Sequence, residues 1–404
     1  MNGIKVLDTK NASAMPTVIK SLTVIGLVGI GVTTSFSDDI KTQITMQDGL
    51  LRFPSAKEAL EVFKDKAGMI KEDLWDIVQQ NVQSPIVISF VGTTATNIEK
   101  DPTLFYEVDA LKSKVVLAVK NLELARSIWG VNSKVRIAIA PWYSHDPAIQ
   151  SALESFNSGT KTVSVFDLNC AAQSEALTKL TSLGGMRQLA FPFYRRAYSV
   201  YQDATIAKPN SAVVAGHIAY WDANLGEFGF AFDHANRPIY DVAGVTVNLS
   251  YEEGEQGCSV NVIADAGGTV LLNDDGWKLY NFESPSSDAR FNKLETLRFF
   301  DGLNENIQQT LKRHKHRTVK EVFHFAKADV DVFLGKAINA GCAIGAKVWW
   351  DERNTPSEIS AGTIYMSYDA GNNVGIRSIV IQPYATDDYY ADLIAENQIE
   401  EIKG

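Results

Sequence analysis

Cysteine is scarce in this 404-residue chain, with Cys170, Cys258 and Cys342 far apart and odd in number. That excludes a disulfide framework and the paired spacing of a zinc site, and it fits buried, reduced thiols. Long apolar runs are missing as well. The best candidate, residues 22–32, has 11 residues, too few to cross a bilayer, and Asp38 and Asp39 follow closely. Lys20 ahead of it gives a slight look of a signal peptide, but no small-x-small cleavage site closes it, so a buried strand is the better reading. There is no GxSxG, no P-loop, no HExxH, no internal repeat and no low-complexity segment. Positive charge is in the minority: 38 Lys and Arg against 48 Asp and Glu give a formal net charge of −10. That balance argues against general nucleic-acid binding.

What is present is the composition of a folded protein, 45% hydrophobic and 21% charged. The length exceeds one small core and predicts two or three domains. The densest aromatic stretch is residues 215–245, where Tyr220, Trp221, Phe228, Phe230 and Phe232 are interleaved with glycine before an Asp-His-Ala-Asn-Arg-Pro turn. Glycine lets irregular backbone approach closely and rings fill the space. The stretch reads either as a docking segment or as an ordinary core loop.

Residues 1–21 are polar, with one strand-like piece at Ile4–Leu7, and Pro16 interrupts them. Thr23–Gly31 reads as a buried strand. Its GxxGxG order is not the dinucleotide fingerprint. Ser55 and Glu58 form a capping-box pattern opening a helix over 56–66 with Ala59, Leu60 and Phe63 on one face. From 85 to 205 strands and helices alternate: strands over 85–91, 135–140, 162–168 and 188–193, helices within 104–129 and over 147–156 and 174–183. Unbroken apolar strands alternating with helices imply a parallel or mostly parallel α/β layer.

Further on, 245–251 and 260–263 read as strands, and Asp274-Asp275-Gly276 as a hairpin turn rather than a calcium loop. Two helices follow, over 287–312, which has an amphipathic face, and over 319–340, which carries Val322, Phe325, Val330, Phe333, Leu334 and Ile338. Between them lies Lys312, Arg313, His314, Lys315, His316 and Arg317, the sharpest charge feature. It either complements a helix C-terminus or contacts an acidic partner. The histidines, two apart, diverge on a helix and make a poor metal site. Strands are expected at 347–350, 362–367 and 376–382, and residues 384–404 form a polar, acid-ending tail. An enzyme reading would use Asp146, Asp167, His217 or Asp233, but no nucleophile with a base and no phosphate cradle accompanies them. Asp146 before Pro147 more simply caps a helix.

Taken together, several segments resemble the contractile tail sheath proteins of phages and related bacteriocin-like particles. They are Thr23–Gly29, the passage from Ala215 through Asp233-His234-Ala235-Asn236-Arg237-Pro238 to Gly244-Val245, Asn273 with Gly276-Trp277, and Gly345–Asp351 with Asn354-Thr355-Pro356 and Gly362. Their order covers most of the chain; His234 stands where the family usually has proline before Ala-Asn-Arg. The resemblance implies a multi-domain α/β plus α+β fold. The expected parts are an N-terminal arm (1–22), the start of the core (23–84), an α/β domain (85–214), an α+β sheath core domain (215–383) and a C-terminal arm (384–404).

It further implies a structural subunit of a contractile tail, with no cofactor and no active site, polymerising helically around an inner tube. Contraction would drive the tube through the host envelope for genome ejection; the sheath of a bacteriocin or other injection particle is the alternative. The partners implied are copies of itself, the inner tail tube protein, and baseplate and tail terminator proteins, with neither nucleic acid nor membrane. The place implied is the virion tail, assembled in the host cytoplasm. Ile4, Val6 and Leu7 at one end, and Tyr389, Tyr390 and Leu393 at the other, become the arms that add strands to neighbours. Lys312, Arg313, Lys315 and Arg317 become a candidate contact with the tube or a neighbour. Asn236, Arg237, Gly244, Trp277, Trp350 and Asp351 become structural motif residues.

Overall fold

The computed structural model describes residues 23–32, 36–66, 68–93, 109–377 and 379–403. Ile4, Val6 and Leu7 lie outside them. In chain order the first elements are β1 (Ile25–Val32), α1 (Asp38–Met46), β2 (Leu50–Phe53), α2 (Ala56–Phe63), α3 (Ile70–Gln79) and β3 (Ile86–Thr93). Then come α4 (Asp109–Asn121), α5 (Ala125–Trp129), β4 (Ile137–Ile139), α6 (Pro147–Thr160), β5 (Val163–Asp167), α7 (Gln173–Ser182) and β6 (Gln188–Phe191). The strands form one sheet in the order β2-β3-β1-β4-β5-β6, parallel except for β2, which runs antiparallel to β3.

All eight residues of β1 are buried, as expected of a strand covered on both faces. Its glycines serve packing. A Cβ on Gly29 would lie 2.6 Å from the Ile70 side chain of α3, so glycine lets that helix lie close to the sheet. The expected caps are present: Ser55 Oγ accepts from Glu58 N at 3.3 Å, and Asp146 accepts from Ala148 N at 2.8 Å ahead of Pro147. Because β1 pairs with both β3 and β4, residues 23–84 and 85–214 share one sheet.

A second group follows: β7 (Arg195–Ser199), β8 (Ala204–Lys208), α8 (Ser211–Asn224), β9 (Gly244–Val245), α9 (Ser259–Asp265), β10 (Val270–Asn273) and β11 (Trp277–Tyr280). Strands β8-β7-β9 form a small antiparallel sheet, and β10-β11 a hairpin. The irregular backbone expected over 215–245 starts only after α8, which runs through the expected boundary at 214/215. Gly216 sits where α8 crosses α3; a Cβ there would lie 3.0 Å from Ile77 O. Of the strand expected over 245–251, the pairing reaches only Gly244–Val245. The strand expected at 260–263 is helix α9, with Val260 and Ile263 both buried at helical spacing. A four-residue apolar run is too short to separate the two periods. The hairpin turn at Asp274–Gly276 is present, with Asp275 and Gly276 at positive φ of 50° and 106°.

The last elements are α10 (Leu294–Leu311), α11 (Val319–Asn339), β12 (Ala343–Trp350), α12 (Pro356–Ser360), β13 (Met366–Asn372) and α13 (Asp388–Lys403). The first of these helices begins at Leu294 rather than near 287, because the Asp288 carboxylate accepts from Arg290 N and Phe291 N and holds a turn. The strand expected at 362–367 is displaced to β13, which pairs antiparallel with β12 from Ala343↔Asn372 to Trp350↔Met366. Beneath this ladder, Phe299, Leu303, Val330, Phe333, Leu334 and Val348 form a separate apolar cluster.

The chain divides into two compact units after Val374. In the second, neither 376–377 nor 379–382 is in a strand, and residues 388–403 are helical where an extended arm was expected. Between Asp388 and Lys403 there is no glycine or proline, and alanine, leucine, glutamate and glutamine favour the helix.

Candidate assembly surfaces

The acids and histidine of the enzyme reading each have a local structural role. Asp146 caps α6 and pairs with Lys112 at 2.7 Å, which helps hold its carboxyl below the ordinary range despite partial burial. Asp167 is fully buried at the end of β5 and accepts from Asn210 N at 2.6 Å and Ser211 N at 3.1 Å, anchoring the start of α8. Burial pushes it up to about 6. His217 lies inside α8 with Nε2 3.3 Å from the His234 carbonyl, and burial holds it down to about 4. Asp233 caps Ala235 N at 2.8 Å. Among the described residues no group of His, Cys, Asp and Glu is arranged to hold a metal, and all three cysteines are buried and free.

The motif residues lie in strands β9, β11 and β12 and in turns beside strands. Asn236 takes a left-handed conformation (φ 55°) and donates its N–H to Leu279 O at 2.7 Å, while Ile239 N donates to Trp277 O at 2.9 Å. These bonds strap 236–239 along β11. Arg237 stacks its guanidinium 4.6 Å over the Trp221 ring, and Gly244 pairs with Arg196 of β7. Trp277 is half-buried against the core, and Trp350 packs on Phe323 of α11 at 4.6 Å between ring centroids. Asp351 accepts from Arg353 and Ser367, and these bonds hold its carboxyl far below the ordinary range. Close by, Asn354 exchanges two 2.7 Å hydrogen bonds with the Tyr365 backbone.

Two sets of buried charges join the layers, and neither was legible in the sequence. Lys208 of β8 pairs with Glu72 at 2.8 Å and with Asp76, while Arg195 of β7 pairs with Asp76 at 2.7 Å and Asp241 at 3.1 Å. They tie the small sheet to α3. Along the other seam, α10 is tied to the layer by Arg298–Asp222, by Glu305 with Lys134 (3.2 Å) and Arg136, and by Asp301 with Arg187 (2.9 Å). The paired residues of the two sets are 46 to 171 apart in sequence, so no local pattern announces them.

The surfaces left open gather in the C-terminal third. Among the described residues, strands β12 and β13 pair only with each other, and Ile344 is 75% exposed. Ile376, Ile379, Val380 and Ile381 are exposed, Val380 at 90%, as are Tyr389, Tyr390, Leu393 and Ile394 on α13. Of the basic turn, Arg313 and His314 are committed to Asp329 of α11, each at 2.5 Å, while Lys312, Lys315 and Arg317 are exposed. The apolar residues of α11 divide: Val330, Phe333 and Leu334 are buried, but Phe325 and Ile338 lie on the surface.

No family model matches the chain. By sequence it is similar to a putative prophage major tail sheath protein of Pseudomonas aeruginosa (strain UCBPP-PA14), 23% identical over 239 residues, which are 58% of this chain and 60% of that protein. It is also similar to the tail sheath protein of Escherichia phage P2, 21% identical over 169 residues, covering 40% and 41% of the two chains. The matched stretches thus span at most 60% of these curated relatives. The fold agrees over a longer range. A chain of the extracellular contractile injection system PVC sheath complex in the contracted state superposes with a TM-score of 0.67 at 14% identity, covering 96% of this chain and 98% of that one. A chain of the contracted anti-feeding prophage helical sheath gives 0.60 at 14% identity, covering 96% and 100%.

Proposed function

We propose that this chain, a member of the tail sheath protein family of contractile phage tails and related injection systems, polymerises helically around an inner tube. Its contraction drives that tube through a cell envelope. The observation that carries the reading is the end-to-end agreement of fold with sheath chains captured in a contracted tube. The role is structural rather than enzymatic.

Subunits of such a tube must stay linked while they slide. An extended segment that adds a strand to a neighbour's sheet does this with backbone hydrogen bonds and tolerates many side chains. Here the unpaired outer edges of β12 and β13 supply the acceptor. The apolar residues Ile379, Val380 and Ile381, in no strand of their own, supply the donor. Contacts of this head-to-tail kind do not close on themselves and so generate filaments. Sequence relatives in a prophage and a phage favour a phage tail and genome ejection. The fold likeness to injection-system sheaths makes a particle without a capsid the second reading.

Negative-stain electron microscopy of the protein expressed alone at moderate salt tests the proposal. Hollow tubes or stacked rings are expected. Small particles that stay monodisperse at high concentration would overturn it.

A further inference from the structure

The outer side of α11 is apolar where solvent should meet it. Phe325 is 53% and Val332 50% exposed, seven residues and therefore about two turns apart. Ala328 and Gly335 fall on the same stripe, so its middle is low and another helix can approach closely. One end of the stripe is basic. Arg313, His314, Arg317, Glu321, Phe325 and Asp329 line a recess of about 370 Å³ there, with Lys312 and Lys315 on the adjoining turn. Its two carboxylates are already engaged: Asp329 by Arg313 and His314, Glu321 by the N–H and hydroxyl of Thr318 in a capping box.

The C-terminal helix has complementary properties. Tyr390, Leu393 and Ile394 share a face of α13, at 66%, 56% and 58% exposure, and Asp388, Asp392 and Glu396 follow each other at four-residue steps on its flank. Residues 385–404 contain Asp387, Asp388, Asp392, Glu396, Glu400 and Glu401 against Lys403 alone. At 1.5 Å per residue, α13 is about 24 Å long and α11 about 31 Å, so one fits along the other.

We infer that α13 of one copy docks on the exposed, basic-ended face of α11 of a second copy, with Tyr390, Leu393 and Ile394 covering Phe325 and Val332 and the acidic flank facing the basic turn. The inference rests on the sheath reading and deepens it. Continuity supports it: residues 379–382, once added as a strand to the β12 edge of a neighbour's ladder, would lie beside that neighbour's α11, since Trp350 of β12 packs on Phe323. The six Cα steps from Gln382 to Asp388 span up to about 20 Å, enough to deliver α13 to the same neighbour. The link then has two parts, a strand that needs only backbone and a helix whose charges select the partner.

Two variants with one added cysteine each, Phe325→Cys and Leu393→Cys, are assembled together and oxidised; the three native cysteines are buried and give little background. A disulfide dimer joining the two variants in tubes is expected. Reversing Lys312, Lys315 and Arg317 to Glu should cut tube yield at least ten-fold. Reversing Asp388, Asp392 and Glu396 to Lys should do the same, and combining the two sets should restore it. Well-formed tubes without the cross-link would overturn the inference while leaving the sheath reading intact. So would basic-turn reversals that keep the tubes but release the inner tube protein. If the unaltered protein forms no tubes, the reading and the inference fall together.

Discussion

The six-stranded sheet and the β12–β13 ladder are both apolar-rich, yet they are finished to different degrees. Every residue of β1 is buried, and its strand is paired on both sides. Of the eight residues of β12, Ala343 and Val348 alone are buried, and among the described residues nothing pairs with the outer edge of either ladder strand. Around the sheet, buried charges find partners within the subunit, as Lys208 does with Glu72 and Asp76. Around the ladder, apolar residues such as Ile344 and Phe325 lie on the surface. The sheet carries the stability of the subunit. On the proposed function, the ladder and its surroundings are where a neighbouring copy would bind. An unpaired strand edge invites pairing with another chain, which an ordinary monomer suppresses and a polymerising one uses.

The largest effect expected from challenging this contrast is in the buried network. Lys208→Ala leaves buried Glu72 without its cation and Asp76 with Arg195 alone, and should cost about 3–5 kcal/mol, read as a fall in the urea midpoint. A loss below about 1 kcal/mol would mean that the network does not hold the small sheet to α3.

A comparable but graded effect should come from acid. Burial holds His217 at about 4, below its ordinary 6.5, and His234 well below it too. The unfolded chain therefore binds protons that the folded one refuses. The stability from His217 is fully present above its unfolded value and is lost as pH falls from 6.5 toward 4. That loss is on the order of 3 kcal/mol. His217→Gln should flatten the profile in this window; an unchanged slope would place the acid sensitivity elsewhere.

The smallest expected effect on stability sharpens the contrast most. Removing residues 375–404 should shift the subunit's unfolding free energy by no more than about 0.5 kcal/mol, because residues 376–377 and 379–396 are exposed. The same truncation should abolish tubes in the electron microscope. Normal tubes from it would refute the assignment of the C-terminal segment as the linker.

Much of the sheet layer could be read from the residues because the signals are local. The unbroken apolar run of β1, the Ser55 and Asp146 caps and the Asp274–Gly276 turn act within a few residues of themselves, and each appears where its pattern placed it. Short runs failed where two periods fit equally well, as at Val260–Ile263. The tail failed for another reason: a polar segment without an evident core reads as extended, yet residues 388–403 have the composition of a helix.

The amino-acid sequence by itself thus determined the alternation of strand and helix, the scarcity of chemistry-bearing motifs and the acidic C-terminal end. Only the tertiary structure decided the strand order that puts β1 at the centre, and the pairing of Lys208 with Glu72 across 136 residues. It also decided which of the two apolar faces of α11 is covered. Periodicity says that a face is apolar, but packing against α10 and β12 chooses Val330 and Phe333 and leaves Phe325 outside. Local signals fix backbone conformation, whereas burial and charge pairing depend on which distant surfaces meet.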